Sequence, residues 1–206
     1  MGNSIAKEHD LHKHGNPTVS QLIDIGCWKC FQEAISKPGV NLNTAPPGGL
    51  PPLIMCMRMG TDRLDWCEEL LSRGAHGYVQ DPRDGATALH LACWHLPEHK
   101  DESDKQLRFM RRLIECKADV NARAKNQCTP AHVLAMCPAD TRANMSVIQG
   151  RDFRLVDAMK FLKENGADVN AKDELGRTPL DLLSETEKKG NAFPCRRTGF
   201  AKLGCV

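Results

Sequence analysis

Cys27-Trp28-Lys29-Cys30 is the stretch best equipped for chemistry. Two thiols one helical turn apart can exchange disulfides when a helix N-terminus lowers the pKa of the first. Redox use of such a pair goes with a strand just before it, in a βαβ pattern. Here the flanking sequence reads as helix on both sides. The same pair, with His12 and His14, supplies the ligand types of a zinc site, but the second Cys-x-x-Cys of a strong zinc pattern is missing. The pair therefore reads as packed thiols, and a redox or zinc-binding protein using Cys27 and Cys30 stands as the rival functional class. His90 and His132 have the type of a general base. Yet no Ser sits on a nucleophile elbow and no Gly-rich phosphate loop carries a Lys. A turn role for both is expected, and no enzyme, cofactor or metal. Met1-Gly2-Asn3-Ser4-Ile5-Ala6-Lys7 has the form of an N-myristoylation signal with Gly2 as acceptor. Ala6 stands where the stricter motif has Ser or Thr.

The rest of the composition is ordinary. The chain has 206 residues, 41% hydrophobic and 26% charged, with a formal net charge of +2 and 5% aromatics. That charge is too small to argue for nucleic acid and the few aromatics weaken base stacking, so no nucleic-acid partner is expected. No apolar run is long enough to span a membrane, and no signal-peptide core opens the chain, so the ten cysteines are expected to be reduced. Several occupy positions where small apolar residues pack, such as Cys56 and Cys93.

What must position these residues is a recurring frame. It is clearest in Gly85-Ala86-Thr87-Ala88-Leu89-His90-Leu91-Ala92. Worn copies are Gly49-Leu50-Pro51-Pro52-Leu53-Ile54-Met55-Cys56, Gln127-Cys128-Thr129-Pro130-Ala131-His132-Val133-Leu134 and Gly176-Arg177-Thr178-Pro179-Leu180-Asp181-Leu182-Leu183. Thr suits a helix N-cap, and Pro at the next position needs no N–H. The Leu then faces the core, so Leu53, Leu89 and Leu180 are expected to be buried in equivalent places. The His bonds back to the turn. A second piece precedes three frames: Gly39-Val40-Asn41-Leu42-Asn43, Lys117-Ala118-Asp119-Val120-Asn121 and Gly166-Ala167-Asp168-Val169-Asn170. From its first residue to the Thr-like position is 12 residues in these three units and 13 in the unit starting at Gly74. Helix, Gly, short extended turn and capped helix make one repeat.

This two-part pattern resembles the ankyrin repeat. The resemblance implies an all-α solenoid of helix-turn-helix units with short extended hairpin fingers. Frames recur after 36, 42 and 49 residues, against a family period of about 33. The excess falls between the two helices of a unit, with Leu96–Lys105 and Cys137–Asp152 expected as inserted loops. Second helices are expected at Leu64–Leu71, Leu107–Cys116 and Leu155–Asn165. Thr18–Gly26 and Cys27–Ser36 read as a helix pair without the frame, as a capping repeat would. The domain expectation is a flexible segment over 1–16, an N-terminal cap and about four repeats over 17–190, and a flexible basic tail over 191–206.

The departures are as informative. Lys117 stands at a Gly position, where a left-handed backbone costs about 1 kcal/mol. Ile54 and Asp181 replace the His, and His76-Gly77-Tyr78 replaces Asp-Val-Asn. Asn121 and Asn170 also resemble sites of ankyrin asparagine hydroxylation, although Asn at such a turn bonds the backbone in any case.

By analogy with the family the function is protein–protein interaction, as an adaptor or scaffold binding a protein or peptide. Aligning the repeats puts Pro47, Leu50, Met55, Arg83, Ala86, Leu91, Lys125, Asn126, Val133, Glu174, Arg177 and Leu182 on the concave, partner-binding side. A monomer in the cytoplasm is expected, with a tether at the cytoplasmic face of a membrane if Gly2 is acylated. One myristoyl chain holds only marginally, so a second signal is needed. Lys7, Lys13, Arg196, Arg197 and Lys202 could supply charge, and Cys195 or Cys205 a palmitoyl group.

Overall fold

Thr18 caps a helix, α1 (Val19–Ile25), through a reciprocal box with Gln21, and Gly26 ends it in a left-handed conformation. The computed structural model describes residues 17–95, 100–136 and 157–182. After α1 come α2 (Trp28–Ile35), α3 (Pro52–Arg58), one 3-10 turn (Thr61–Arg63) and α4 (Leu64–Ser72). They are followed by α5 (Ala88–Trp94), α6 (Lys100–Glu115) and α7 (Pro130–Met136). Residues 157–164 and 179–182 are also helical. An isolated antiparallel bridge joins Gln80 and Thr87, and no strand is longer among the described residues.

The helices stack in two rows. The inner row runs α1, α3, α5, α7, each packed on the next, and α4 packs on α6 in the outer row. Within units, α1 pairs with α2, α3 with α4 and α5 with α6. One continuous apolar core results, including Ile23, Phe31, Leu53, Leu70, Leu89, Phe109, Leu134 and Leu162. This is the all-α solenoid that the repeated frame implies.

Two expectations need correction. The stretch Leu96–Lys105 is not all loop, because α6 already runs from Lys100. From Asp104 onward α6 is amphipathic: Asp104, Lys105 and Arg108 are exposed while Gln106, Phe109 and Met110 are buried. Leu180 is 68% exposed, unlike Leu53 and Leu89, which are buried. Among the described residues no further unit packs on that side of its helix. The expected loop Cys137–Asp152, the segment 1–16 with His12, His14 and Gly2, and the tail 191–206 lie outside the described residues.

Lys117 adopts φ 70, so the missing Gly is replaced by a strained Lys. Gln127, in the Gly place of its frame, does the same at φ 61.

Candidate interaction surface

The frame's His builds both the turn and the junction to the next unit. Thr87 N–H donates to His90 Nδ1 at 3.1 Å, and His90 Nε2 lies 3.1 Å from the Cys128 carbonyl of the following unit. A carbonyl can only accept, so the ring carries its proton on Nε2 and donates there, leaving Nδ1 as acceptor. His132 repeats the device, taking Thr129 N–H at 3.1 Å and reaching the Arg177 carbonyl at 3.1 Å. Asp181 substitutes for His at the last frame, where its Oδ2 accepts from Thr178 N–H at 2.8 Å and Thr178 Oγ1–H at 2.7 Å. Both His side chains are thus structural, as their spacing from Thr suggests.

Burial lowers the His90 pKa to about 4 and also pushes His132 down. The folded state therefore prefers neutral imidazole, while the unfolded chain protonates near 6.5. The stability from neutral His90 is complete above about pH 6.5 and is lost as pH falls toward about 4. Urea melts across that window are expected to lose about 3 kcal/mol, and the slope should shrink in His90→Gln. A stability that is flat between those pH values would refute the buried neutral ring.

The turn asparagines also bridge units. Asn121 Nδ2–H donates to the Gly166 carbonyl at 2.9 Å and its Oδ1 accepts Asp168 N–H at 2.8 Å. Asn43 does likewise with His76 N–H at 2.8 Å. At the equivalent junction after Gly77, the backbone itself makes the link: Gly77 N–H donates to the Cys116 carbonyl at 2.8 Å.

The finger tips join into one edge. Lys125 N–H donates to the Asp84 carbonyl at 2.8 Å, and Glu174 N–H to the Asn126 carbonyl at 3.1 Å. The first tip is clamped from below by Arg58 of α3, whose Nε–H donates to Asp81 Oδ2 at 2.7 Å and whose Nη2 also pairs with Asp84. Burial pushes the Asp81 carboxyl up, but hydrogen bonds from Arg83 and the charge of Arg58 outweigh it, and the net shift is downward. Asp173 is held below its ordinary value in the same way by Arg177. Sequence reasoning missed Arg58 and Asp81, because residues 23 positions apart leave no local signal.

The twelve residues aligned to the concave side separate into two sets. Pro47, Arg83, Lys125 and Glu174 are exposed, and Met55, Asn126 and Arg177 are partly so. Leu50, Ala86, Leu91, Val133 and Leu182 are buried and cannot meet a partner directly. For Leu91 the cause is simple: α5 is enclosed by both inner neighbours and by its outer helix, so six of its seven residues are buried, while Leu50 and Ala86 are buried in the turns that lead into α3 and α5.

Cys27 and Cys30 come together at the start of α2, with Cys30 buried and Cys27 partly so. The hydrogen bond with Cys27, followed by burial, pushes the Cys30 thiol up to about 11. No group of three or more potential metal ligands occurs among the described residues. No helix among them is long and apolar enough to cross a membrane.

A stack of capped helix pairs, bridged by His and Asn and edged by linked turns, defines a helical repeat protein. The family model of the ankyrin repeat matches residues 84–125, which hold the clearest frame, so the chain carries an ankyrin repeat there. The chain is similar to alpha-latrocrustotoxin-Lt1a of Latrodectus tredecimguttatus, at 36% identity over 84 residues. That match covers 40% of this chain and 5% of the toxin.

Proposed function

We propose that the protein is an adaptor or scaffold that binds a protein or peptide along its finger-tip edge. Ankyrin repeats mediate protein–protein interaction as a class. The observation supporting this for the chain is the continuous, hydrogen-bonded row of tips, which presents Arg83, Lys125 and Glu174 outward on a rigid stack. A pre-organised surface loses little entropy on binding. The function calls for no catalytic group.

The test is affinity capture with the full chain and with Lys125→Glu, monitored by circular dichroism. Lys125 suits this better than Arg83 or Arg177, whose guanidinium groups pair with the buried Asp81 and Asp173. The partner recovered with the wild type should be lost at unchanged helix content. A partner retained by this variant but lost on deleting 137–152 would move the interface off the tips.

We further propose that Gly2 is acylated and brings the edge to a cytoplasmic membrane surface, with the basic residues of 191–206 as the second signal. Intact-protein mass spectrometry from a eukaryotic host should show the myristoyl mass. An unmodified Gly2 would leave an untethered adaptor.

A further inference from the structure

The charges on the finger tips are sorted by depth. At the first tip the Asp81 carboxylate is buried and receives Arg83 N–H at 2.8 Å, Arg83 Nε–H at 3.2 Å and Arg58 Nε–H at 2.7 Å. Asp84 is partly buried and paired with Arg58. At the third tip Asp173 is buried and accepts Leu175 N–H and Arg177 N–H, each at 2.9 Å. Those carboxylates hold the turns, so their charge points inward. Arg123, Lys125 and Lys172 are exposed cations, and Arg83, also exposed, pairs its guanidinium with Asp81.

The middle tip has no acidic residue from Ala122 to Cys128. Arg123 Nη1–H donates there to the carbonyls of Gln127 at 3.1 Å and Lys172 at 2.9 Å. Carbonyls orient the guanidinium but leave its charge uncancelled. Glu174 is the exposed carboxylate at the third tip, and Asp181 lowers the net charge near Lys172. The centre of the edge is therefore cationic, flanked by tips that are close to balanced.

We propose that this edge receives an acidic, extended polypeptide segment, and that its carboxylates sit over Arg123 with Lys125 and over Lys172. This rests on the adaptor reading above. Stacked helices lie about 10 Å apart, and an extended segment in the polyproline-II conformation advances about 3.1 Å per residue and returns to the same face every third residue. Successive tips therefore match every third residue of the ligand. Leu175, 61% exposed beside the third tip, offers a seat for one apolar side chain at the end of such a segment. The tips carry no aromatic residue in 81–85, 123–127 or 172–176, so they lack the stacking platforms that single-stranded nucleic acid uses.

The experiment selects random peptides displayed on phage against the full chain, then measures their affinity for the wild type, Lys125→Glu and Lys172→Glu. Circular dichroism confirms the fold of each variant. Expected are peptides rich in Asp and Glu at intervals of three, weakened about tenfold or more by Lys125→Glu and weakened by added salt. Peptides without acidic enrichment that still lose binding in the variants would overturn the acidic partner while leaving the adaptor reading intact. Acidic peptides indifferent to both variants would overturn the site. Tighter binding of a single-stranded RNA oligonucleotide, competing with the peptides, would overturn the choice of partner. Selection of no peptide at all would sink both the proposal and the reading beneath it.

Discussion

Gly77→Ala is expected to destabilise the protein by about 3 kcal/mol, the upper part of the range for overpacking a close contact. A Cβ at Gly77 would lie 2.6 Å from the Leu113 carbonyl oxygen, and 2.8 Å from both the backbone nitrogen and the Cβ of Ala118. Two of those three atoms are backbone, fixed by the end of α6 and its turn. Relief requires the junction between units to open, which stretches the bond from Gly77 N–H to the Cys116 carbonyl. Thermal melts of purified Gly77→Ala check this. A melting temperature equal to that of the wild type would mean that the two turns do not touch.

Leu89→Ala should cost about 2–5 kcal/mol, the range for removing a fully buried Leu. Leu89 has no exposure and lies in α5, which packs on α3, α6 and α7. Surroundings fixed from three directions collapse poorly into a cavity, which favours the upper half of the range. Leu180→Ala, the same residue type at the same frame position, should stay within about 0.5 kcal/mol because it is exposed. Urea denaturation of the two variants measures the contrast. Similar losses from both would refute the assigned ends of the stack.

The frame was legible because it encodes local demands. Thr caps, Pro tolerates the first turn, and a His three residues after Thr can reach back to it, whatever else surrounds them. The same locality let Asp181 be noticed as a departure, and it closes its turn with the Thr178 N–H as the His does elsewhere. Depth was less legible. Leu91 and Val133 have the spacing of a concave stripe, yet both are buried, since spacing gives a direction around a helix axis and not the distance to solvent. Polarity misled at Asp104 and Lys105, which are exposed residues of α6 and not of a loop. The Arg58 clamp and the close approach at Gly77 depend on residues distant in sequence, and no short window contains both partners.

Beside the asparagine and backbone bonds that recur along the stack, the junctions between units use two kinds of titratable side chain. Units one and two are joined by Arg58 on Asp81 and Asp84, where Ile54 stands in place of the His. Units two to four are joined by His90 and His132 donating to carbonyls. In a linear array, where each unit feels only its neighbours, solvent can address these joints separately. Near pH 5 the imidazole joints lose strength, while the Asp81 carboxylate, held below its ordinary value, keeps its charge. The array then behaves as two segments with different breaking points, the N-terminal pair outlasting the rest. Hydrogen exchange at mildly acidic pH would register this as fast exchange beyond α5 and slow exchange before it.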